Sequence, residues 1–184
     1  MQIPVLGQDP SLNHWGLATA LLDLSTGILT TPSLRLIEPM ELKGKQVRNN
    51  SNDLYRAEQL ANIVIEESRK AKAIFVEVPV GSQSARAMAS YGICVGILGA
   101  VRALGIPIIE VTATESKVAI TGNKNATKQE MIDHAWENYP QSPWLKDVRN
   151  GKLIAKNEHL ADAIAAIHAG VNTPEFQKLM RLIS

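Results

Sequence analysis

The protein has 184 residues, of which 45% are hydrophobic and 20% are charged, and this composition excludes a disordered or collagen-like chain. It favours one soluble globular domain that spans residues 1–184. Lys and Arg (19) nearly balance Asp and Glu (18), so any site for a polyanion must be a local cluster of cations. A single cysteine, Cys94, excludes a disulfide framework and a thiolate zinc site. No segment resembles a membrane span or a leader peptide, and we expect a cytoplasmic protein without a membrane partner.

Turn residues and hydrophobic periodicity divide the first third of the chain into strands and one helix. Apolar runs that end at polar or glycine-containing turns predict three extended segments, which are Ile3–Leu6, Leu17–Leu24 and Ile28–Leu36. Their short connections are typical of an antiparallel meander. After the polar connection Lys43–Ser51, we expect Asn52 to cap a helix whose apolar face comprises Leu54, Ala57, Leu60, Ala61, Val64 and Ile65.

Strands and helices alternate along the rest of the chain. The predicted elements are a strand over Ala73–Val78, a helix over Ser84–Leu104, a strand over Ile106–Val111, helices over Thr114–Ile120, Lys128–Asn138 and Asn157–Ala169, and a last helix capped at Thr173-Pro174. This order predicts an α/β fold with a mixed β-sheet, an antiparallel meander plus parallel strands, and helices on both faces.

Acidic residues occur at three places with chemical interest. Asp9 precedes Pro10 at the junction between the first strand and its turn, and Glu77 lies inside an apolar strand, where an unpaired buried carboxylate is costly. Glu158, His159 and Asp162 share one side of a helix. Each place has an alternative explanation. Asp9 could be a turn residue, and Glu77 could face water from an edge strand. The third group could be an acidic first turn favoured by the helix dipole. Together they form an oxygen-rich set that suits two Mg²⁺ or Mn²⁺ ions and the in-line hydrolysis of a phosphodiester.

Four ordered blocks of the sequence resemble the RuvC-type Holliday-junction resolvases, a family with the ribonuclease H-like fold. The resemblance runs from about residue 3 to about residue 170, nearly the whole chain. The blocks are Gly7-Gln8-Asp9-Pro10-Ser11 with Trp15-Gly16, then Val76-Glu77 with the helix Ser84–Leu104, then Ile106-Pro107 through Glu110, Lys117 and Thr121-Gly122 to Lys128-Gln129, and finally His159-Leu160-Ala161-Asp162-Ala163.

The resemblance implies a homodimeric, metal-dependent endonuclease that resolves four-way DNA junctions by paired symmetric nicking with two Mg²⁺ ions per active site, for which Mn²⁺ substitutes. Asp9, Glu77, His159 and Asp162 match the metal-binding positions of the family, and Glu158 joins this set by its position on the same helix side. Lys117 and Lys128 match two lysines that the family places near the cut phosphate, where they would offset negative charge in the transition state.

Four features depart from the family pattern, one of which is a shorter segment before Trp15-Gly16. Val80 stands where the loop after Glu77 usually carries an aromatic residue, and Ser11 replaces a common glycine. Gln141–Lys156 has the character of an insertion, in which Asn150-Gly151 predicts a hairpin. These departures resemble phage members of the family, which implies a bacterial cytoplasm or a phage-infected host.

Local groups of polar and basic residues are the expected DNA contacts, although solvated surface is the alternative for each. The expected set comprises Lys43, Lys45, Arg48, Ser82, Gln83, Ser84, Arg86, Lys124, Arg149 and Lys152. The other histidines, His14, His134 and His168, are interpreted as surface or packing residues, with a role for His14 beside Asp9 left open.

A stripe of small residues on the helix Ser84–Leu104 predicts close helix packing between two copies of the chain, or packing of the same stripe on the sheet. The stripe comprises Ala85, Ala89, Gly92, Gly96 and Ala100.

Alternative functions are another ribonuclease H-like nuclease on branched DNA or RNA–DNA hybrids, an actin-like or sugar-kinase-like ATPase, and a junction-binding protein without catalysis. Dimerisation distinguishes the resolvase from a single-site nuclease, and the absence of a glycine-rich phosphate loop argues against the ATPase.

Overall fold

A computed structural model describes residues 1–183 as a five-stranded sheet with helices on both faces. The strands are β1 (Gln2–Asp9), β2 (Trp15–Asp23), β3 (Ser33–Ile37), β4 (Ala73–Glu77) and β5 (Ile108–Val111). The helices are α1 (Asn49–Lys70), α2 (Ala85–Ala103), α3 (Ala113–Thr121), α4 (Lys128–Asn138), α5 (Asn157–Gly170) and α6 (Pro174–Ile183). The predicted α/β class with a mixed sheet is confirmed. Within residues 1–183, every helix is too short or too polar to cross a membrane.

The strand order β3-β2-β1-β4-β5 brings the carboxyl ends of four strands, β1, β3, β4 and β5, to one edge of the sheet. β1, β2 and β3 pair antiparallel, which confirms the predicted meander, whereas β1 pairs with β4, and β4 with β5, in parallel. Gln8 lies opposite Val76 in this register, so Asp9 and Glu77 are the next residues on neighbouring strands. Because β4 is an internal strand, the alternative that Glu77 faces water from an edge strand is wrong.

The alternation of side chains along the strands separates two hydrophobic cores. Val5 and Phe75 face α5 and the surrounding α3, α4 and α6, whereas Leu6 and Val76 face α1 and α2. Asp9 and Glu77 continue the first of these faces at the ends of their strands. The two carboxylates therefore lie on the side of the sheet that α5 covers.

Two glycines allow the start of α5 to lie directly on the sheet. A Cβ atom at Gly7 would overlap the carbonyl oxygen of Ala163, and one at Gly16 would overlap the carbonyl oxygen of His159. Any other residue at these positions would push the helix away from β1 and β2. This close approach places His159 and Asp162 over the end of β1, next to Asp9.

The start of α1 differs from the prediction. The helix begins at Asn49 with Arg48 as its N-cap, and Asn52 lies inside it, where its side-chain oxygen accepts a hydrogen bond from the Leu42 amide at 2.8 Å. Leu60 and Val64 are buried as predicted, but Leu54 is 72% exposed. In the first turns of α1, the polar side chains of Asp53 and Arg56 are buried instead of Leu54.

Two strand boundaries also differ from the prediction. β1 continues through Gly7 to Asp9, because the register with β2 extends to the pair of Asp9 and Gly16. The third strand is shorter than Ile28–Leu36, since Leu29 forms only an isolated bridge to Leu22 and regular pairing starts at Ser33. Pro32 has no amide hydrogen to donate, which explains why the ladder begins after it.

The segment before α5 contains the hairpin that Asn150-Gly151 predicted. An isolated bridge joins Lys146 to Leu153, and Gly151 adopts a φ of 70°, which favours glycine. We call residues 145–154 the basic hairpin.

Candidate active site

Three carboxylates from separate elements form the centre of the site. Asp9 ends β1, Glu77 ends β4, and Asp162 lies one turn into α5. Burial, followed by repulsion from Asp9, raises the pKa of Glu77 to about 6, although Ser116 and Lys117 oppose this shift. Burial also raises the pKa of Asp162, and the charges of Asp9 and Glu77 raise it further. The site therefore concentrates negative charge where water solvates it poorly.

The imidazole of His159 lies against this cluster. Its Nδ1 donates a hydrogen bond to Oδ2 of Asp9 at 2.6 Å, and its Nε2 lies 3.6 Å from Oε1 of Glu158. Burial lowers the pKa of His159, but the hydrogen bond to Asp9 and the surrounding negative charges outweigh burial, and the net shift is upward. His159 therefore holds the Asp9 carboxylate by a hydrogen bond in this structure, and the explanation of Asp9 as a simple turn residue is wrong.

An open cleft of about 280 Å³ gives access to the acidic cluster. Its lining combines the ends of β1 and β4 with the loop after β4 and includes Asp9, Pro10, Glu77, Val80, Tyr91 and His159. Val80 is 97% exposed at the mouth of this cleft. The cleft is open to solvent, so a substrate can reach Asp9 and Glu77 from outside.

Comparisons with known proteins give matches in structure but not in sequence. No protein-family model matches the chain, and no curated protein matches it significantly. The structure of Thermus thermophilus RuvC is similar with a TM-score of 0.62 and 20% sequence identity, covering 97% of each chain. The T. thermophilus RuvC in complex with Holliday junction substrate gives a TM-score of 0.62 at 19% identity, covering 91% of this chain and 92% of that one.

The fold is RuvC-type. The resemblance in the sequence blocks is thus confirmed at the level of the fold, and the order of the elements is that of a ribonuclease H-like domain. In this chain, the end of β1 lies beside the start of α5, and Asp9 contacts His159 there.

The donor set of this site fits a hard divalent cation. Carboxylate oxygens are the preferred ligands of Mg²⁺ and Mn²⁺. A cation would offset both the burial and the mutual repulsion that raise the pKa values of Glu77 and Asp162. In the part of the chain that the structure describes, no three acidic or imidazole side chains converge closely enough to hold an ion as they are placed. Asp9 is bonded to His159 and Glu158 to Lys128, so metal binding requires these contacts to exchange.

The two lysines of the expected site lie near its rim. Lys128 is the first residue of α4, and its Nζ lies 2.7 Å from Oε2 of Glu158, a contact that raises the pKa of Lys128. Lys117 on α3 is half-buried, and its charge lowers the pKa of Glu77. The structure therefore brings both lysines toward the acidic cluster. Glu158, expected to be a metal ligand, forms an ion pair with Lys128 in this structure.

The expected DNA contacts are spread over several loops of the RuvC-type fold. Lys43 and Lys45 lie in the exposed connection before α1, with Arg48 at its end, and Lys124 lies between α3 and α4. Ser82 and Gln83 belong to the exposed loop after β4, and Arg149 and Lys152 to the exposed basic hairpin. Three members have side-chain partners within the fold. The Ser82 hydroxyl accepts a hydrogen bond from the Ser84 amide, and Ser84 caps α2 by accepting a hydrogen bond from the Ala87 amide. The Arg86 guanidinium binds the buried carboxylate of Asp53.

His14, for which a role beside Asp9 was left open above, lies beside the site. Its ring stacks on that of His159 with a centroid distance of 5.3 Å and an interplanar angle of 17°. Its Nε2 lies 3.4 Å from Glu38, which in turn forms an ion pair with Lys156. The position of His14 in the sequence indicates this contact. In an antiparallel pair, the start of β2 lies beside the end of β1, so a residue just before β2 is close to Asp9.

Proposed function

We propose that the protein is a structure-selective endonuclease that resolves four-way (Holliday) DNA junctions by metal-dependent phosphodiester hydrolysis. The observation that carries the proposal is the cluster of Asp9, Glu77 and Asp162 at the carboxyl edge of a RuvC-type sheet, with Lys117 and Lys128 at its rim. The solved structure of T. thermophilus RuvC with the same fold is a complex with Holliday junction substrate, which supports a junction as the substrate of this chain as well.

Asp9, Glu77 and Asp162, with His159, would hold two Mg²⁺ ions, and Mn²⁺ is expected to substitute. Bound ions of this kind activate the attacking water and stabilise the leaving oxygen. The carboxylates fix the position of the reacting phosphate relative to β1 and α5. Lys128, 80% exposed, exchanges Glu158 for a phosphate oxygen, and Lys117 approaches from α3. Both ammonium groups offset the negative charge of the pentavalent phosphate.

The exposed polar and basic groups would hold the arms of the junction. Phosphate contacts fix the register of a nucleic acid without reading its bases. We assign this role to Lys43, Lys45, Arg48, Ser82, Gln83, Ser84, Arg86, Lys124, Arg149 and Lys152, all of which lie on the surface. Val80 at the mouth of the cleft is apolar and lacks a ring, so we expect it to contact an opened base step with little stacking.

A homodimer through α2 would supply the second active site. The buried face of α2 comprises Cys94, Ile97, Leu98 and Val101, whereas its small residues face solvent. The alternative that the small-residue stripe packs on the sheet is therefore wrong. A Cβ atom at Gly92, Gly96 or Gly99 would meet no atom within 4 Å, and Met88 and Val95 beside them are exposed. An exposed apolar helix face with small residues at helical spacing supports close contact with the same helix of a second copy.

The test is cleavage of a synthetic four-way junction in the presence of Mg²⁺, with strand products sized at nucleotide resolution. We expect symmetric cuts in two like strands, and no cleavage of linear duplex of the same sequence. Asp9→Asn and Asp162→Asn should abolish cleavage and leave junction binding near that of the wild type, because they remove metal ligands but no phosphate contact. Equal cleavage of junctions and RNA–DNA hybrids, or an active Asp9→Asn variant, would contradict the proposal.

A further inference from the structure

The basic hairpin presents cations that no acidic side chain neutralises. Lys146, Arg149 and Lys152 are exposed, and none of them forms a salt bridge within residues 1–183. The carboxylate of Asp147 accepts a hydrogen bond from the Arg149 amide at 2.7 Å, so it stabilises the turn. Val148, fully exposed, lies beside Arg149 in this turn.

A single buried side chain fastens both strands of this hairpin. Asn157 is fully buried, and its Nδ2 donates hydrogen bonds to the carbonyl oxygens of Leu145 at 2.7 Å and Ile154 at 3.0 Å. Its Oδ1 accepts a hydrogen bond from the Leu145 amide at 2.9 Å. Leu145 and Leu153 also pack against the core that contains α5. The base of the hairpin is therefore fixed to the protein and is not a mobile arm.

The attachment point lies at the active-site end of α5. Asn157 is the first residue of this helix, two residues before His159. The preceding Lys156 pairs with Glu38, whose other partner, His14, stacks on His159. The basic hairpin is therefore attached at the end of α5 that carries His159 and Asp162.

We propose that the basic hairpin binds the backbone of a DNA arm next to the cut, and that Asn157 fixes this binding surface relative to the catalytic helix. The inference rests on the proposed nuclease function and deepens it. The hairpin cations hold phosphates by charge alone, without reading bases. Asn157 is a positioning residue: through it, the hairpin determines which phosphodiester lies over Asp9 and Asp162.

Two kinds of variant separate binding from positioning. Arg149→Ala/Lys152→Ala removes two phosphate contacts, and Asn157→Ala removes the attachment while keeping the cations. The matched control is Arg69→Ala/Lys72→Ala, which removes two exposed cations at the opposite edge of the sheet, near the start of β4. Junction affinity is measured against salt concentration without divalent cations. Cut positions are mapped with Mg²⁺.

We expect Arg149→Ala/Lys152→Ala to reduce the slope of log affinity against log salt by about 1.8, since each phosphate contact contributes ~0.9. Asn157→Ala should keep the wild-type slope but spread the cuts over neighbouring phosphodiesters and lower the rate at the main position about tenfold. The control variant should leave slope and cut position unchanged. If Asn157→Ala does not fold, Asn157→Asp, which keeps the acceptor for the Leu145 amide but loses both donors, should give the same spread.

A wild-type salt slope in Arg149→Ala/Lys152→Ala would overturn the DNA contact, and a single wild-type cut position in a folded Asn157 variant would overturn the positioning role. Both results leave the nuclease intact, because the wild-type protein still cuts the junction. Failure of the wild-type protein to cut any junction would instead contradict the proposed function itself.

Discussion

At the scale of single residues, the acidic cluster opposes folding when no cation is bound. The pKa of Glu77 is raised to about 6 from an ordinary value of 4.5. Below pH 4.5 the folded and unfolded states both hold the proton. As the pH rises from 4.5 to 6, the unfolded state loses its proton first, so the free energy of unfolding decreases by about 2 kcal/mol. The site thus gives up stability to keep its carboxylates together.

This argument predicts that Glu77→Gln stabilises the metal-free protein at high pH. At pH 8 in the presence of a chelator, thermal unfolding of Glu77→Gln should occur roughly 4–8 °C above that of the wild type, on the usual scale of 2–4 °C per kcal/mol. Near pH 4 the two proteins should unfold at the same temperature. Glu58→Gln, an exposed substitution on α1, serves as the control and should change neither value. Equal unfolding temperatures of Glu77→Gln and wild type at pH 8 would contradict the assignment of Glu77 to the cluster.

The rim lysines should affect chemistry more than binding. Lys128 exchanges its contact with Glu158 for the phosphate, so Lys128→Ala and Lys117→Ala should lower the single-turnover cleavage rate by about 10²-fold and junction affinity by less than threefold. Lys124→Ala, in the neighbouring loop, should lower affinity and leave the rate at saturation near that of the wild type. Parallel losses of affinity and rate in all three variants would show that the lysines act only as phosphate contacts.

At the scale of secondary-structure elements, the site depends on how closely α5 approaches the sheet. Gly16→Ala introduces a methyl group against the His159 carbonyl oxygen, and overpacking of this kind costs about 1–3 kcal/mol. We expect it to displace the start of α5 and to lower cleavage at least tenfold. Gly170→Ala is the matched control, because its methyl group meets the Phe75 ring at the other end of α5. Gly170→Ala should reduce thermal stability about as much as Gly16→Ala but preserve more of the cleavage activity. Equal losses of cleavage activity in the two variants would contradict the dependence of the site on the start of α5.

Most elements and the chemical character of the site follow from local sequence patterns, because turn residues, strand runs and helical periodicity are local properties. The convergence of Asp9, Glu77 and Asp162 does not follow from these patterns, since it depends on the parallel register of β1 with β4 and on the glycine contacts under α5. The resemblance to the RuvC-type family predicted this convergence instead.

The errors at α1 have a similar origin. Asp53 is buried because Arg86, 33 residues away, binds it, and Arg56 is buried because it donates a hydrogen bond to the Leu12 carbonyl oxygen at 3.1 Å. A helical periodicity calculated from α1 alone assigns both residues to the solvent face and Leu54 to the core. Long-range polar contacts of this kind lie outside what local periodicity can predict.

At the scale of the whole molecule, the proposed function requires two active sites related by two-fold symmetry. Sedimentation at micromolar concentration should therefore give a mass near twice 20.0 kDa. Gly96→Leu should give a folded monomer, because the position is open within the protomer, whereas Glu58→Leu on α1 should remain a dimer. A monomeric wild type that also stays monomeric on a four-way junction would favour a single-site nuclease.

Resolution of a cruciform in a supercoiled plasmid tests the central claim most directly. A cruciform exists only while the plasmid is supercoiled, so a linear product forms only if both strands are cut within one binding event. A dimer with paired sites should convert the plasmid with Mg²⁺ mainly to the linear form, and Asp162→Asn should leave it supercoiled. Accumulation of nicked circles without linear product would contradict paired nicking, and an intact plasmid with the wild-type protein would contradict the nuclease.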